Sequence, residues 1–320
     1  MIDFRYHVVS LVSVFLALAV GIVLGAGPLN EGISTGITDQ VRQLTEEKEQ
    51  LRAERDEALA AGEAQDAWAE VVAPAVVERQ LGGRAVVVVE LPGADSSQTD
   101  AVVDVLRSAG ATVPARVTVQ DDWTAEAQQA ERKALAAELA PQLAGGAAVA
   151  DATPHVVLAT ALASGLVTGD LAQTVVADPA RADLLTALTD AGLVEVEGQV
   201  EQRATLALLV TGAADPDASD DRAELDAAAW EALADQLDDL SAGAVVAGPT
   251  ESAEARAAVA VVRSGDEVAE QVSTVDDLDT AMGRVNVVLA LREQLAGRSG
   301  HYGTAPSATS VSPPLPAAAP

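Results

Sequence analysis

The chain has 320 residues and a formal net charge of −30. A surface this acidic repels nucleic-acid phosphates and anionic headgroups, which excludes nucleic acid as a partner. Hydrophobic residues make up 49% of the chain but aromatic residues only 2%, so any core must be built from Ala, Val and Leu. There is no cysteine, which excludes disulfides, zinc–thiolate sites and thiol nucleophiles and says nothing about compartment.

Residues 1–30 read as a transmembrane anchor. The run from Val8 through Leu16, Gly21 and Gly25 to Leu29 has no charged side chain, and roughly 20 apolar residues are what a helix needs to cross the hydrocarbon core. Ser10 and Ser13 can bond back to helix carbonyls, and Gly27-Pro28 ends the run. A cleaved secretory signal is the alternative, but its apolar core is about 7–15 residues, shorter than this one. Both readings export the remainder of the chain. Arg5, the sole basic side chain before the span, points to an inside amino terminus and an extracytoplasmic C-terminal domain. Gly21 and Gly25 have the spacing of a close helix–helix contact, a pattern also common by chance.

Residues 34–66 read as a coiled-coil stalk. Composition shifts to Glu, Arg, Gln and Ala, with Thr38 or Asp39 capping the start. Val41, Leu44, Lys48, Leu51, Arg55 and Ala58 alternate at spacings of three and four, an a/d seam with two cationic a positions. A seam of this kind predicts a homo- or hetero-oligomer; a lone solvated helix is the alternative. Gly62 and Pro74 mark the end of the stalk region.

Residues 72–302 read as an extracytoplasmic α/β domain. Ala85–Val89 is a β-branched run expected in a strand buried on both faces. A turn at Leu91–Ser97 leads to a helix over Thr99–Ser108 and a strand over Val113–Val119, broken by Pro114. Helices are expected at Glu126–Leu143, Val156–Leu166, Ala180–Leu188, Asp221–Leu240 and Asp279–Leu295, and strands at Thr205–Val210 and Ala244–Val246. Alternating strands and helices imply a mainly parallel sheet. The fold class is α/β: a transmembrane helix, a short coiled coil, then a mainly parallel-sheet domain. Residues 303–320, rich in Ala, Ser, Pro and Thr, read as a disordered tail.

Chemistry is sparse. Open α/β sheets bind ligands at the carboxyl ends of strands, which points first to the turn Pro92-Gly93-Ala94-Asp95-Ser96-Ser97. It lacks a dinucleotide or phosphate-loop pattern, and Ser96 or Ser97 as a helix cap explains it. Asp215, Asp217, Asp220 and Asp221 could attract a hard cation, but the sixth and twelfth positions of a calcium loop hold Asp220 and Asp226. Asp276, Asp277 and Asp279 could likewise attract a metal, but read first as an acidic helix start. His7, His155 and His301 are isolated, so no catalytic residue, cofactor or metal ligand is assigned and no enzyme is expected.

Two stretches carry a family resemblance. Ile2-Asp3-Phe4-Arg5-Tyr6-His7-Val8-Val9-Ser10-Leu11 with Leu16 to Pro28 opens the chain; Ser273-Thr274-Val275-Asp276-Asp277-Leu278-Asp279-Thr280 through Gly283, with Gly300-His301-Tyr302-Gly303, closes it. Together they resemble the actinobacterial MctB copper-transport family, which includes SteB-like envelope proteins. The resemblance implies a cell-membrane envelope protein in copper transport or homeostasis, in some accounts an outer-membrane channel. Its SteB-like members imply instead a non-catalytic coiled-coil scaffold that binds an envelope or cell-division partner. Copper enters through the resemblance alone: Cu(I) favours thiolate and thioether ligands, and Met282 is the only Met after Met1.

Overall fold

The computed structural model describes residues 4–25, 29–144, 152–170, 179–198 and 202–315. The chain divides into two compact units, Met1–Gln65 and Asp66–Pro320. The second therefore starts six residues before the expected boundary at residue 72.

In the first unit, α1 (Phe4–Gly25) has 22 residues, about 33 Å of helix, enough for a hydrocarbon core of about 30 Å. None of its side chains is buried within the chain. A helix that is apolar from Val8 onward, with no buried side chain among the described residues, is one suited to lipid. Ser13 Oγ donates back to Val9 O at 2.9 Å, as expected. The break at Gly27-Pro28 lies outside the described residues, and Leu29 is described by its backbone alone. Helix α2 (Leu29–Val77) starts earlier and ends later than the expected stalk. It runs through Gly62 and Pro74, neither of which ends it. Pro74 sits in the last turn, where its missing donor removes a single hydrogen bond.

In the second unit, seven strands among the described residues form one sheet. They are β1 (Val86–Glu90), β2 (Ala115–Val119), β3 (Val194–Gly198), β4 (Leu206–Val210), β5 (Ala244–Ala247), β6 (Ser273–Val275) and β7 (His301–Tyr302). The order is β3-β2-β1-β4-β5-β6-β7. Every pairing is parallel except β2 with β3. The mainly parallel sheet matches expectation.

Strand residues alternate between two cores. Val87, Val89, Ala207, Leu209 and Val246 face one, which includes α4 (Gln129–Leu139), α5 (Pro154–Leu166), α6 (Pro179–Asp190), α7 (Asp220–Asp239), α8 (Ala258–Ser264) and the short α9 (Val268–Gln271). Val86, Val88, Leu206, Leu208 and Val245 face the other, under α3 (Ser96–Ser108) and α10 (Ala281–Gln294). Burial on both faces is why β1 and β4 are continuous apolar runs.

Three strands were not legible as such. Edge strand β3 reads Val-Glu-Val-Glu-Gly, half polar because one face meets solvent. Strand β6 is polar yet buried, because its hydroxyls have partners: Gln294 Nε2 donates to Ser273 Oγ at 2.9 Å, and Arg263 Nε to Thr274 Oγ1 at 2.8 Å. Two-residue β7 is too short for a periodic signal.

The expected disordered tail is a correction. Residues 303–315 fold against the sheet edge. Thr309 N donates to His301 O at 2.8 Å, Ala305 N to Asp276 Oδ1 at 3.0 Å, and Asn286 Nδ2 to Val311 O at 2.9 Å. Composition suggested low complexity, but the backbone finds partners that composition does not encode. Residues 316–320 lie outside the described part.

Candidate functional site

The strand order reverses between β1 and β4: from this pair the chain adds β2 on one side and β5 on the other. Open parallel sheets bind ligands at such a switch point, outside the strand carboxyl ends. A cleft of about 600 Å³ lies there, lined by Pro92 and Gly93 after β1, Thr211, Ala213–Pro216 and Ala218 after β4, and Asp121 after β2. Arg222, Asp226 and Trp230 of α7 form a further wall, with Arg256 and Ala258 at the start of α8. Its size suits a small molecule.

The two loops at its base touch, since a Cβ at Gly212 would collide with the carbonyl of Gly93. Arg222 Nε donates to Asp226 Oδ1 at 2.8 Å, and Arg256 Nη2 to Asp220 Oδ1 at 2.6 Å. Arg256 holds φ of 74°, a strained conformation for a residue with a side chain, and such strain concentrates at functional sites.

The turn singled out in the sequence contributes Pro92 and Gly93 to this cleft, while its cap is Asp95 and neither serine. Asp95 Oδ1 accepts from Ser97 N at 2.8 Å, and the Ser97 hydroxyl is the first cause of its lowered pKa. Of the Asp215 loop, Asp215 lies in the cleft and accepts from Asp217 N at 2.9 Å; Ser219 caps α7. Sequence reasoning missed Arg222, Trp230 and Arg256. Only the topology brings them to the switch point, and nothing in their spacing signals it.

A second polar concentration sits at the carboxyl end of β6. The buried Asp276 pairs with Arg263 Nη2 at 2.8 Å and accepts from Thr304 N at 2.7 Å. Asp277 is 1% exposed, with Asn286 as its one side-chain hydrogen-bonding neighbour. Burial, then the Asp276 charge, pushes its pKa up to about 7. These acids were expected to be a solvated helix start; Asp276 and Asp277 are instead interior, and Thr280 caps α10.

The copper-relevant donors lie on separate elements. His155 is at the start of α5, and His301 Nδ1 is 3.0 Å from Thr274 Oγ1 in the β6–β7 pair. Met282 is 36% exposed. Among the described residues no group of three or more His, Cys, Asp or Glu converges as a metal would require. In the first unit, the seam side chains Val41, Leu44 and Leu51 are each more than half exposed on the single chain. Lys48, Arg55 and Ala58 are exposed with them.

The likeness to known proteins covers the chain nearly end to end. Residues 1–313 match the family described as copper transport outer membrane protein, MctB. The copper transporter MctB of Mycobacterium tuberculosis is 32% identical over 319 residues, covering 97% of this chain and 99% of the relative. That of Mycobacterium leprae is 30% identical over 323 residues, covering 98% and 100%. Since that likeness takes in the apolar helix, α2 and the whole α/β unit together, this chain belongs to the MctB family.

Proposed function

We propose that this chain is a single-pass, membrane-anchored envelope protein that contributes to copper transport or homeostasis, with its α/β domain outside the cytoplasm and α2 joining it to other chains. The near-complete likeness to mycobacterial copper transporters carries the proposal; the length and apolar surface of α1 support the anchor. A purely architectural role finds no support among the relatives, which carry the transporter name. Catalysis is no part of the proposal.

Copper in this reading is cargo. Tight Cu(I) binding needs converging soft ligands, and this chain offers no Cys, an exposed Met282 and histidines on separate elements. Handling of copper then falls to surfaces shared between chains rather than to a resident site within one.

The test is complementation of a mycobacterial strain lacking its own MctB, paired with chelator competition on the purified full chain. We expect restored copper tolerance, kept by His155→Ala and His301→Ala, and no stoichiometric Cu(I) on the isolated chain. Failure to restore tolerance sinks the copper role. One copper per chain, lost on changing either histidine, sinks the absence of a resident site.

A further inference from the structure

Helix α2 carries an apolar stripe left uncovered among the described residues. Val41, Leu44 and Leu51 are 56%, 64% and 59% exposed, although burial of such a face is what stabilises most helices in water. A shallow groove runs along it, lined by Leu44, Glu47, Lys48, Leu51, Arg52 and Arg55. In the seam register these are positions d, g, a, d, e and a. Leu44, Glu47, Lys48 and Leu51 are the four residues that make the hole for an a-position knob of a facing helix. Lys48, Leu51, Arg52 and Arg55 make the next hole, for a d-position knob.

Charge selects the occupant. Neighbouring groups pair within the chain: Arg42 with Glu46 at 3.4 Å, Gln50 with Glu54 at 2.8 Å and Arg55 with Asp56 at 2.6 Å. Glu47, Lys48 and Arg52, at the centre of the groove, make no ion pair among the described residues. A second copy of α2, parallel and in register, answers all three. Glu47 at g then faces Arg52 at e of the other copy, and the pair recurs by symmetry. Lys48 lays its aliphatic stem over the other copy's Leu44 and Leu51 and reaches that copy's Glu47. Arg55, the second cationic a position, is already matched by Asp56.

Two strands are also what the seam favours, since Val41 at a and Leu44 at d suit a parallel dimer and a lysine at a fixes its register. An antiparallel pair sets g against g, which brings Glu47 and Glu54 together as like charges. Anchors of one orientation in one bilayer hold the copies parallel and raise their effective concentration, which lets a seam of about three heptads suffice.

We propose that α2 binds a second copy of this chain as a parallel, in-register, two-stranded coiled coil over residues 41–58, with reciprocal Glu47–Arg52 ion pairs. This names the partner for the α2 contact proposed above and rests on that reading.

The chain has no cysteine, so a single introduced one can bridge only to its own copy in another chain. Leu51→Cys at d and Lys48→Cys at a face themselves only in a parallel in-register pair; Lys48→Cys keeps both leucines of the seam. Ala53→Cys, at f on the far side, is the control. In the full chain purified in neutral detergent and oxidised with diamide, we expect disulfide dimers from the first two variants and none from the third. Sedimentation of the parent gives the mass of two chains. Glu47→Arg weakens the dimer by about fivefold, the scale of two exposed ion pairs, and adding Arg52→Glu restores it; circular dichroism checks that each variant stays helical. A monomeric parent overturns the proposal. An oligomeric parent in which neither Leu51→Cys nor Lys48→Cys bridges, or in which Arg52→Glu fails to rescue Glu47→Arg, overturns the parallel in-register pair alone. The wider reading, that α2 joins chains at all, fails separately if Leu44→Lys with Leu51→Lys still restores copper tolerance in the complemented strain.

Discussion

Asp277 offers a measurable consequence of the buried acidic cluster. Its carboxyl is interior, and Asp276 is adjacent. Burial is the main cause of a pKa raised from 3.8 to about 7, Asp276 and Asp279 raise it further, and Asn286 opposes the shift. Arg263, the cation of the cluster, is engaged by Asp276. Because the folded pKa lies above the unfolded one, the folded state holds a proton that the unfolded chain releases. The stability linked to that proton is fully present below pH 3.8 and is lost as pH rises to about 7. At about 1.36 kcal/mol per pH unit, the loss is on the order of 4 kcal/mol. Asp277→Asn keeps the shape and removes the titration. We expect parent and variant to melt together near pH 4, and the variant to melt higher by about 10 °C at pH 8, given about 2–4 °C per kcal/mol for a domain of this size. Thermal melts of the full chain in detergent, followed by circular dichroism across this range, read the difference. Asp238, whose burial raises its pKa to about 6, also contributes to the slope of the parent but is common to both proteins and cancels. A variant with the parent's full pH dependence, or one less stable at pH 8, refutes the reasoning.

Three further outcomes rest on the same physical grounds. Arg263→Met leaves Asp276 buried without its cation and also removes the bonds to Thr274 Oγ1 and Tyr302 O; a loss of about 3–5 kcal/mol is expected, with earlier proteolytic release of residues 303–315, and unchanged urea stability contradicts it. Leu44→Lys with Leu51→Lys places charges in the apolar seam and dissociates any oligomer built on α2, so sedimentation of the full chain in detergent shows a smaller species than the parent, whereas equal mass for both rejects the seam. A reporter active only outside the cytoplasm, fused after Pro320, gives signal if α1 spans the membrane with its amino terminus inside; signal from a cytoplasmic reporter at the same site reverses the topology.

Legibility in the sequence followed burial. Strands β1 and β4 were readable because both faces are covered, and apolar identity at each position then leaves an unmistakable run. Helices α5 and α7 were readable by length and periodicity. Strands β6 and β7 were not, because Ser273 and Thr274 are polar residues made acceptable in the interior by Gln294 and Arg263, which lie 21 and 11 positions away. The cleft followed the same rule. Its Pro92-Gly93 turn could be proposed from the strand that precedes it. Arg222, Trp230 and Arg256 join it through strand order, which no local pattern carries.

The segments that carry the family resemblance at the chain's end also prove to be one piece of structure. Thr274 and Val275 of β6 pair with His301 and Tyr302 of β7. The Tyr302 hydroxyl donates to the buried Glu293 of α10, and Asp276 N donates to Tyr302 O at 3.1 Å. A side chain at Gly283 would collide with the Asp277 carbonyl, and one at Gly303, where φ is 129°, with the Asp276 carboxylate. Each part of this motif thus has a packing or hydrogen-bonding duty at the sheet edge. His301 shares that duty through the contact of its Nδ1 with Thr274 Oγ1. The closing stretch of the family resemblance is thus the part that closes the sheet.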